Sequence, residues 1–408
     1  MEQYLRQYVD EARKQMGIEE TYLREAVGIN HRRVLDAFRQ ERVTDFHFNS
    51  STGYGYGDQG REVLESVFAR VFGAEAALVR GQIVSGTHAI YLGLKAMVSK
   101  NEKLIYLGNP YDTLKTALGL NEDKPRPHEF NTEIFPLDDS GCVNFGELSK
   151  TLNGAPDCVL AIQRSCGYDP NRRSFSMEYI KRIVDFVRQN YPKVRLFVDN
   201  CYGEFVEDKE PPMLGVDLTA GSLIKNPGGG IAPGGGYLVG KEELIEIAAE
   251  LLTAPGLGKD VGASLWDKRL VFQGLFLAPL IVLEALCGMI FSSNLLSTLG
   301  FGVSPAPREQ RTDIIQRIDF GSRELLLAFC RGIQKYSPID SQVIPQPGPL
   351  PGYAHPVIMA AGTFVQGGSL ELSSDAPIHE PFSAFLQGGL SREYTIETVV
   401  KSIEIIRD

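Results

Sequence analysis

Short apolar runs alternate with amphipathic helical patterns through the middle of this chain, and this alternation limits the fold more than any other feature. The runs are rich in branched and aromatic residues and fall at 76–79, 103–108, 158–164 and 194–199. Segments with helical spacing of apolar residues lie between them, among them 61–72 and 177–190. This rhythm is typical of an α/β fold with a mostly parallel central sheet and helices on both faces. In such sheets ligands collect at the carboxyl ends of the strands.

Three regions are predicted from the pattern. Residues 1–50 have helical spacing and predict an N-terminal helical arm that packs on another surface. Residues 51–290 contain the sheet and end in a candidate helix pair broken at Pro279, and they form the predicted large domain. Residues 291–408 are richer in proline and loops and predict a smaller α+β domain, with strands at HPVIMAAGTFV and GSLELS and a final helix from Tyr394 to Arg407.

Composition narrows the class of protein. A chain of 408 residues with 43% hydrophobic residues can bury a large core. The formal net charge of −10 argues against a nucleic-acid partner, because phosphate backbones attract basic surfaces. The first residues lack the apolar segment of a signal peptide, and polar residues interrupt the apolar run at 271–296, so no membrane association is expected.

The spacing of cysteine and histidine indicates neither disulfides nor a metal site. The six cysteines are scattered without a CxxC pair, which is typical of reduced thiols in the cytoplasm. The six histidines show no HExxH or comparable spacing. We therefore expect a soluble cytoplasmic protein without a bound metal.

Two polar residues stand at the ends of apolar runs and carry the main functional prediction. Asp199 ends VRLFVD, and Lys225 follows SLI directly before a glycine-rich turn. Each residue also has a purely structural interpretation, Asp199 as a turn cap and Lys225 as a lysine in a loop. A P-loop does not fit, because the lysine of a P-loop follows its glycines, whereas Lys225 precedes them. Together they match a pyridoxal phosphate site, in which a carboxylate keeps the pyridine nitrogen protonated and a lysine forms the imine.

Two further features precede this pair in the chain. Ser85, Gly86 and Thr87 open a predicted helix, where hydroxyl caps and exposed backbone N–H groups attract phosphate, although a simple helix cap would look the same. Tyr111 follows the apolar run at 103–108. The order of phosphate turn, tyrosine, strand-end aspartate and Ser-x-x-Lys resembles that of fold-type I pyridoxal phosphate enzymes.

Longer motifs carry a closer resemblance, which covers roughly residues 46–390. The segments YGYGDQGRE, VSGTHAIYLGL, VDNCYGEFVE, GSLIKNPGGGIAPGGGYLVG, QGLFLAPLIV and MAAGTFVQGGSLELSSDAP are similar to those of the aluminium resistance or methionine gamma-lyase-like proteins. This resemblance implies the fold-type I pyridoxal-phosphate-dependent transferase fold and a carbon–sulfur lyase of the cystathionine lyase type. It also implies a small amino-acid substrate and a homodimer or homotetramer whose subunits share their sites.

The resemblance also assigns roles to residues. Lys225 becomes the Schiff-base lysine and general base, Asp199 the partner of the pyridine nitrogen, and Tyr111 the residue that stacks on the ring. The other implied cofactor contacts are phosphate ligands (Ser85, Gly86, Thr87 and Ser222), a tyrosine reaching the neighbouring subunit (Tyr56) and groups near the ring hydroxyl or the substrate (Arg164 and Tyr202). Asp58 stands where an arginine usually follows that tyrosine.

The C-terminal region departs from the trans-sulfuration pattern. Those enzymes hold the substrate carboxylate with an arginine on a strand resembling GSLELSS, and here Glu371 occupies the expected position and would repel a carboxylate. Arg392, Arg311, Arg164 and His379 are candidate replacements.

Because that replacement stays open, so does the substrate. We expect elimination from a sulfur-containing amino acid of the cystathionine, methionine or cysteine type. The alternatives are an aminotransferase, a desulfurase that would need a mobile cysteine such as Cys330, or a non-catalytic cofactor-binding stress protein.

Overall fold

The computed structural model of the chain describes residues 3–120, 130–169, 172–350, 353 and 355–407. Its helices are α1 (Gln3–Gln40), α2 (Gln59–Phe72), α3 (Gly86–Met97), α4 (Asp112–Ala117), α5 (Phe145–Asn153), α6 (Met177–Asn190), α7 (Glu242–Leu252), α8 (Lys268–Thr298), α9 (Arg323–Lys335) and α10 (Arg392–Arg407). Its strands are β1 (Ala76–Arg80), β2 (Lys103–Leu107), β3 (Asn131–Phe135), β4 (Val159–Gln163), β5 (Arg195–Asp199), β6 (Leu218–Ser222), β7 (Gly236–Gly240), β8 (Gly302–Ser304), β9 (Ile315–Asp319), β10 (Val357–Ala360), β11 (Ser373–Pro377) and β12 (Ser383–Gln387).

The predicted sheet is confirmed. Within the described ranges it has seven strands in the order β1-β7-β6-β5-β4-β2-β3. The run from β6 to β3 is parallel, and β7 lies antiparallel between β1 and β6. Gln163 at the end of β4 is in register with Asp199 at the end of β5, and Asp199 with Ala220 of β6. Polar residues that follow these strands therefore meet at one edge.

Helices cover both faces of the sheet because each carries one apolar side. On one face α6 buries Ile180, Ile183 and Val187 against residues of β4 and β5 such as Leu160 and Val198. On the other face α3 and α7 form a separate core with β1, β6 and β7. The interior strands β4 and β6 are buried along their whole length, as expected for a sheet covered twice.

The predicted break at Pro279 is wrong, because α8 continues through it as one helix of 31 residues. Proline removes a single hydrogen-bond donor, and burial of most of the helix against two cores outweighs that loss. In the described part of the chain, α8 is the one helix long and apolar enough to cross a membrane. However, 72% of its most apolar stretch is buried inside the protein, as in the core helix of a globular domain.

The N-terminal arm is the single helix α1, and it packs on α8 of its own chain. Leu5, Val9 and Met16 share a core with Leu283 and Ile290. Further along the helix, buried Asn30 donates through Nδ2 to the backbone oxygens of Phe205 and Glu207 at 2.9 and 3.0 Å. The arm therefore supports the loop that follows β5.

The C-terminal region forms a second, antiparallel sheet in the order β10-β11-β12-β9-β8, described outside the gaps at 351–352 and 354. Its helices α9 and α10 pack with α8 around one core. The expected strand at GSLELS starts later, at Ser373, and Glu371 lies in the preceding turn. The proposed domain boundary at residue 290 falls inside α8, which contributes to the cores of both units.

Candidate active site

A buried cavity of about 240 Å³ lies at the carboxyl edge of the large sheet. Of the sequence-predicted residues it brings together Ser85, Gly86, Thr87, Tyr111, Asp199, Tyr202, Ser222 and Lys225. The ends of β4, β5 and β6 and the start of α3 build its walls. Parallel strands deliver their carboxyl ends to one edge, so the site follows from the order of the strands.

Asp199 is the last residue of β5 and only 4% exposed. Burial raises the pKa of its carboxyl group, and the Lys225 ammonium and the backbone N–H of Cys201, which donates at 3.1 Å, counter that rise. A buried carboxylate needs a cationic partner to remain ionised. Asp199 is therefore suited to hold a second positive group inside the cavity.

Lys225 stands three residues beyond the end of β6, and its Nζ lies 3.8 Å from the centroid of the Tyr202 ring. Burial lowers the pKa of this lysine, but Cys201, Tyr202 and Asp199 raise it by more, so the net pKa is above the ordinary value. The loop after it turns back sharply. At Gly228 an added Cβ would lie 1.7 Å from the backbone oxygen of Leu223, so only glycine fits there.

The first residues of α3 close another side of the cavity. Ser85 is the N-cap of this helix, and its Oγ accepts from the backbone N–H of His88 at 3.1 Å. Gly86 leaves room, since an added Cβ would lie 3.3 Å from both Cys201 Sγ and Ser222 Cβ. A twelve-residue helix with free N–H groups at its start attracts an anion.

Tyr111 precedes α4, and its hydroxyl lies 2.9 Å from Thr87 Oγ1. Burial, followed by the nearby Asp199 carboxylate, raises the pKa of this phenol well above its usual value. The hydroxyl therefore stays protonated and can act as a proton donor at the cavity.

The cavity also contains residues that the sequence patterns did not single out. Gln163 lines it from the end of β4, Tyr168 from the loop that follows, and Tyr353 from the proline-rich loop of the small domain. The Tyr168 hydroxyl lies 3.2 Å from that of Tyr202 and donates to Asp375 Oδ2 at 2.7 Å. The position of Tyr168 in the loop after β4 could have identified it, but no local signal marks Tyr353.

Two sequence-predicted cofactor contacts do not line the cavity. Arg164 is fully buried beneath the turn after β5, where its guanidinium donates to Glu207 Oε2 at 2.8 Å and to Asn200 Oδ1 at 2.9 Å. It supports the turn and does not reach the cavity. Tyr56 is 66% exposed and packs on Tyr54, so within one chain it faces outward. Asp58 caps α2 and binds Lys268.

The candidate groups for a substrate carboxylate are dispersed. Arg392 is held by Glu284 and Glu20, both at 2.6 Å, and Arg311 lines a different cavity beside α1. Glu371 does not face the site, because its carboxylate accepts from the backbone N–H groups of Phe364 and Val365 at 2.7 and 2.8 Å.

A wider cavity of about 580 Å³ opens directly outside the buried one and shares Tyr111, Gln163, Tyr168 and Tyr353 with it. We call it the vestibule. Its basic lining residues are Lys115, Arg317, His355 and His379. Lys115 contacts Asp112 at 3.1 Å, and Arg317 contacts Asp319 at 3.1 Å. Of the earlier candidates, only His379 lies here.

Comparison with known proteins identifies the family. The model of the methionine gamma-lyase family matches residues 5–406. The chain belongs to the methionine gamma-lyase family. This membership makes it an enzyme of the pyridoxal-phosphate-dependent carbon–sulfur lyases, with the substrate left open.

Several relatives of this family member cover nearly the whole chain. The uncharacterized protein YnbB of Bacillus subtilis is 45% identical over 380 residues, which are 92% of this chain and 90% of that protein. A solved structure from Listeria monocytogenes, provisionally named a cystathionine beta-lyase involved in aluminum resistance, is 43% identical, covers 98% of this chain and 100% of that one, and has a TM-score of 0.95. A carbon-sulfur lyase involved in aluminum resistance from Clostridium novyi is 42% identical, covers 99% and 96%, and has a TM-score of 0.94.

More distant structures share the fold alone. The protein YhfS of Escherichia coli, described as pyridoxal-5'-phosphate dependent, is 16% identical with a TM-score of 0.63. The fold-type I architecture expected from the sequence is thus confirmed for this member of the methionine gamma-lyase family.

Proposed function

We propose that this chain is a pyridoxal-phosphate-dependent carbon–sulfur lyase that acts on a sulfur-containing amino acid. The observation that carries the proposal is the meeting of Asp199, Lys225 and the start of α3 in one buried cavity. One wall carries a carboxylate, another an amine, and a third the anion-attracting end of a helix. These three groups match the pyridine nitrogen, the aldehyde and the phosphate of the cofactor.

The residues fit the cofactor in charge and shape. Asp199 would hold the protonated ring nitrogen, which supplies the buried carboxylate with a second cationic partner. Ser85, Gly86, Thr87 and Ser222 would bind the phosphate, and the absence of a side chain at Gly86 leaves space beside Cys201 and Ser222. When bound, the cofactor supplies an electron sink for negative charge at the substrate α-carbon.

The chain itself would move the protons. Lys225 Nζ would accept the α-proton of the substrate, and the face of the Tyr202 ring would stabilise the resulting ammonium. Tyr111 lines the same cavity, and its protonated hydroxyl is held by Thr87. In this proposal Tyr111 would stack on the ring and donate a proton to the departing sulfur.

The vestibule would receive the rest of the substrate. Its basic residues would take the role of the arginine that was expected at the position of Glu371. We assign the binding of the substrate carboxylate to Arg317 on β9. Arg317 stands in register with Phe385 of β12, whose ring contacts Tyr168 of the buried cavity. The vestibule, with a volume of about 580 Å³, has room for a sulfur-linked substituent larger than a methyl group.

Assembly and location form part of the proposal. Tyr54 and Tyr56 are exposed on a glycine-rich loop, as expected for residues that reach a neighbouring subunit's site in a homodimer or homotetramer. All six cysteines are free thiols, consistent with the cytoplasm. Cys330 is fully buried in α9, so it does not provide the mobile cysteine that the desulfurase alternative would need.

Turnover of candidate substrates tests the proposal. Purified protein loaded with pyridoxal phosphate is mixed with L-cystathionine, L-methionine or L-cysteine, and 2-oxo acid and ammonia are measured. A lyase releases both in equal amounts, whereas an aminotransferase forms 2-oxo acid only when a second 2-oxo acid accepts the amino group. Bound chromophore without turnover would leave the non-catalytic alternative. Retention of the imine absorbance by Lys225→Ala would overturn the cofactor assignment.

A further inference from the structure

A chain of hydrogen bonds that the proposed chemistry does not use leads from the cavity into the small domain. The Tyr202 hydroxyl lies 3.2 Å from the Tyr168 hydroxyl, which donates to Asp375 Oδ2 at 2.7 Å. A phenol has one hydrogen, and that of Tyr168 goes to Asp375, so Tyr202 is the donor in the first contact. Asp375 lies on β11, four residues beyond Glu371.

Other contacts hold the Asp375 end of this series of hydrogen bonds in place. Asp375 is 5% exposed, and its Oδ2 also accepts from Gln387 Nε2 at 3.0 Å. The Tyr168 ring packs edge-on against Phe385, with centroids 5.5 Å apart. Burial raises the pKa of both Asp375 and Tyr168. Tyr168 therefore keeps the hydrogen that it donates to Asp375.

The Tyr202 end of this series of hydrogen bonds acts on Lys225. Tyr202 has φ of +72°, an uncommon conformation for a tyrosine, and its carbonyl accepts from Asn226 Nδ2 at 3.0 Å. With its backbone held by Asn226 and its hydroxyl by Tyr168, the ring presents its face to Lys225 Nζ at 3.8 Å. The ring face favours a cation there. The other titratable groups that affect Lys225 are Cys201, Asp199 and Glu204.

We propose that Asp375 is a positioning residue that acts through Tyr168 to hold the Tyr202 ring over Lys225, and so stabilises the ammonium form of Lys225. This inference rests on the proposed function, in which Lys225 Nζ accepts a proton during each turnover. A carboxylate of the small domain thereby controls the base of the large domain. The strand expected to supply a substrate-binding arginine instead supplies Asp375, which positions the ring beside the base Lys225.

The experiment measures how fast Lys225 reacts with an amine-labelling reagent at pH 8 in protein stripped of cofactor, with the labelled peptide quantified by mass spectrometry. Tyr168→Phe and Tyr202→Phe keep both rings and remove the link. Each should raise the labelling rate by about twofold to thirtyfold, because a loosened ring stabilises the unreactive ammonium less. The double variant should equal either single variant, since both break one chain.

Two substitutions at Asp375 separate positioning from charge. In Asp375→Asn the amide oxygen still accepts from Tyr168, so labelling should stay near the original rate, whereas Asp375→Leu should behave like Tyr168→Phe. Tyr394→Phe is the matched control, because it removes a phenol that donates to Ser337 at 3.3 Å within the small domain. Its labelling rate should not change.

An unchanged labelling rate in Tyr168→Phe, or equal rates in the Asn and Leu variants of Asp375, would overturn the proposal. If Asp375→Leu does not fold, the two tyrosine variants decide alone. Failure of the lyase function is separate, because it appears as absent turnover in the unsubstituted protein while the labelling differences remain.

Discussion

Asp199 and Lys225 stabilise each other's charged form inside one buried cavity. Burial raises the pKa of Asp199, and the Lys225 ammonium opposes that rise. Asp199 in turn is among the groups that keep the pKa of Lys225 above its usual value. Neither charge has another strong ionic partner among the residues that line the described cavity. Removing either one therefore affects the other.

Replacing Asp199 with asparagine tests the ring-nitrogen contact. Asn keeps the size of the side chain but not the charge that holds a proton on the ring nitrogen. We expect kcat to fall by about 10²–10³-fold, in line with the loss of one preorganised electrostatic group. Steady-state kinetics measures this, with cofactor binding followed by absorbance. Asp199→Glu is the control that keeps the charge, and full activity of the Asn variant would contradict the assigned role.

Tyr111→Phe tests proton donation to the departing sulfur. Without the hydroxyl that contacts Thr87, we expect kcat to fall by about 10²–10⁴-fold for substrates whose thiolate is a poor leaving group. The loss should shrink as the thiol becomes more acidic, because a better leaving group needs less protonation. A series of S-substituted cysteines measures this dependence. An equal loss across the series would contradict proton donation to the sulfur, because phenylalanine keeps the ring and the loss would then come from another role of the hydroxyl.

Arg317→Met tests the carboxylate assignment. If Arg317 in the vestibule binds the substrate, KM should rise by about 10–100-fold, the loss expected for a charge-assisted hydrogen bond, while cofactor absorbance stays unchanged. Lys115→Met, at the same vestibule, is the matched comparison. A larger effect for Lys115 than for Arg317 would reverse the assignment.

Arg164→Met tests whether this arginine is structural. Its removal takes the buried cation from Glu207 and one of two neighbouring arginines from Glu210, whose other partner is Arg33 at 3.8 Å, so the free energy of unfolding should fall by about 3–5 kcal/mol. Cofactor affinity of the folded fraction should change little, because the guanidinium does not line the cavity. Chemical denaturation and cofactor titration measure the two quantities. Weakened cofactor binding at unchanged stability would contradict this view.

Glu204 predicts an unusual pH dependence of stability. Burial raises the pKa of its carboxyl group from the ordinary value to about 8, while Tyr237 donates to Oε1 at 2.8 Å. Between the unfolded and folded pKa values the folded state binds more protons, so this group's contribution to stability falls as pH rises from about 4.5 to about 8.

Glu204→Gln removes this titration and keeps the acceptor for Tyr237. The variant should gain about 1–4 kcal/mol over the unsubstituted protein at pH 8–9, and the gain should shrink towards pH 5. Thermal unfolding across this pH range, without cofactor, provides the measurement. A pH-independent difference between the two proteins would show that Glu204 is ionised throughout.

Much of the candidate site was predictable because its residues follow strands of one sheet that run in the same direction. Ser85, Tyr111, Asp199 and Lys225 each follow or begin an element of the parallel sheet, and parallel strands bring such positions to one edge. The helix α6 was predicted with its observed bounds, since its apolar residues fall on one side. Pro279 misled because a local breaking signal is weaker than burial of a long apolar helix.

The sequence by itself determined the α/β class, the edge where the candidate site lies and most of the predicted residues that line its cavity. Only the tertiary structure decided which neighbour of a strand end faces the site: Gln163 lines the cavity, while Arg164 points to Glu207. Successive side chains leave a strand in opposite directions, and the pattern does not say which direction holds the ligand. The tertiary structure also decided that Asp375 binds Tyr168 and that Tyr353 lines the cavity, because contacts between distant segments depend on how the two sheets pack.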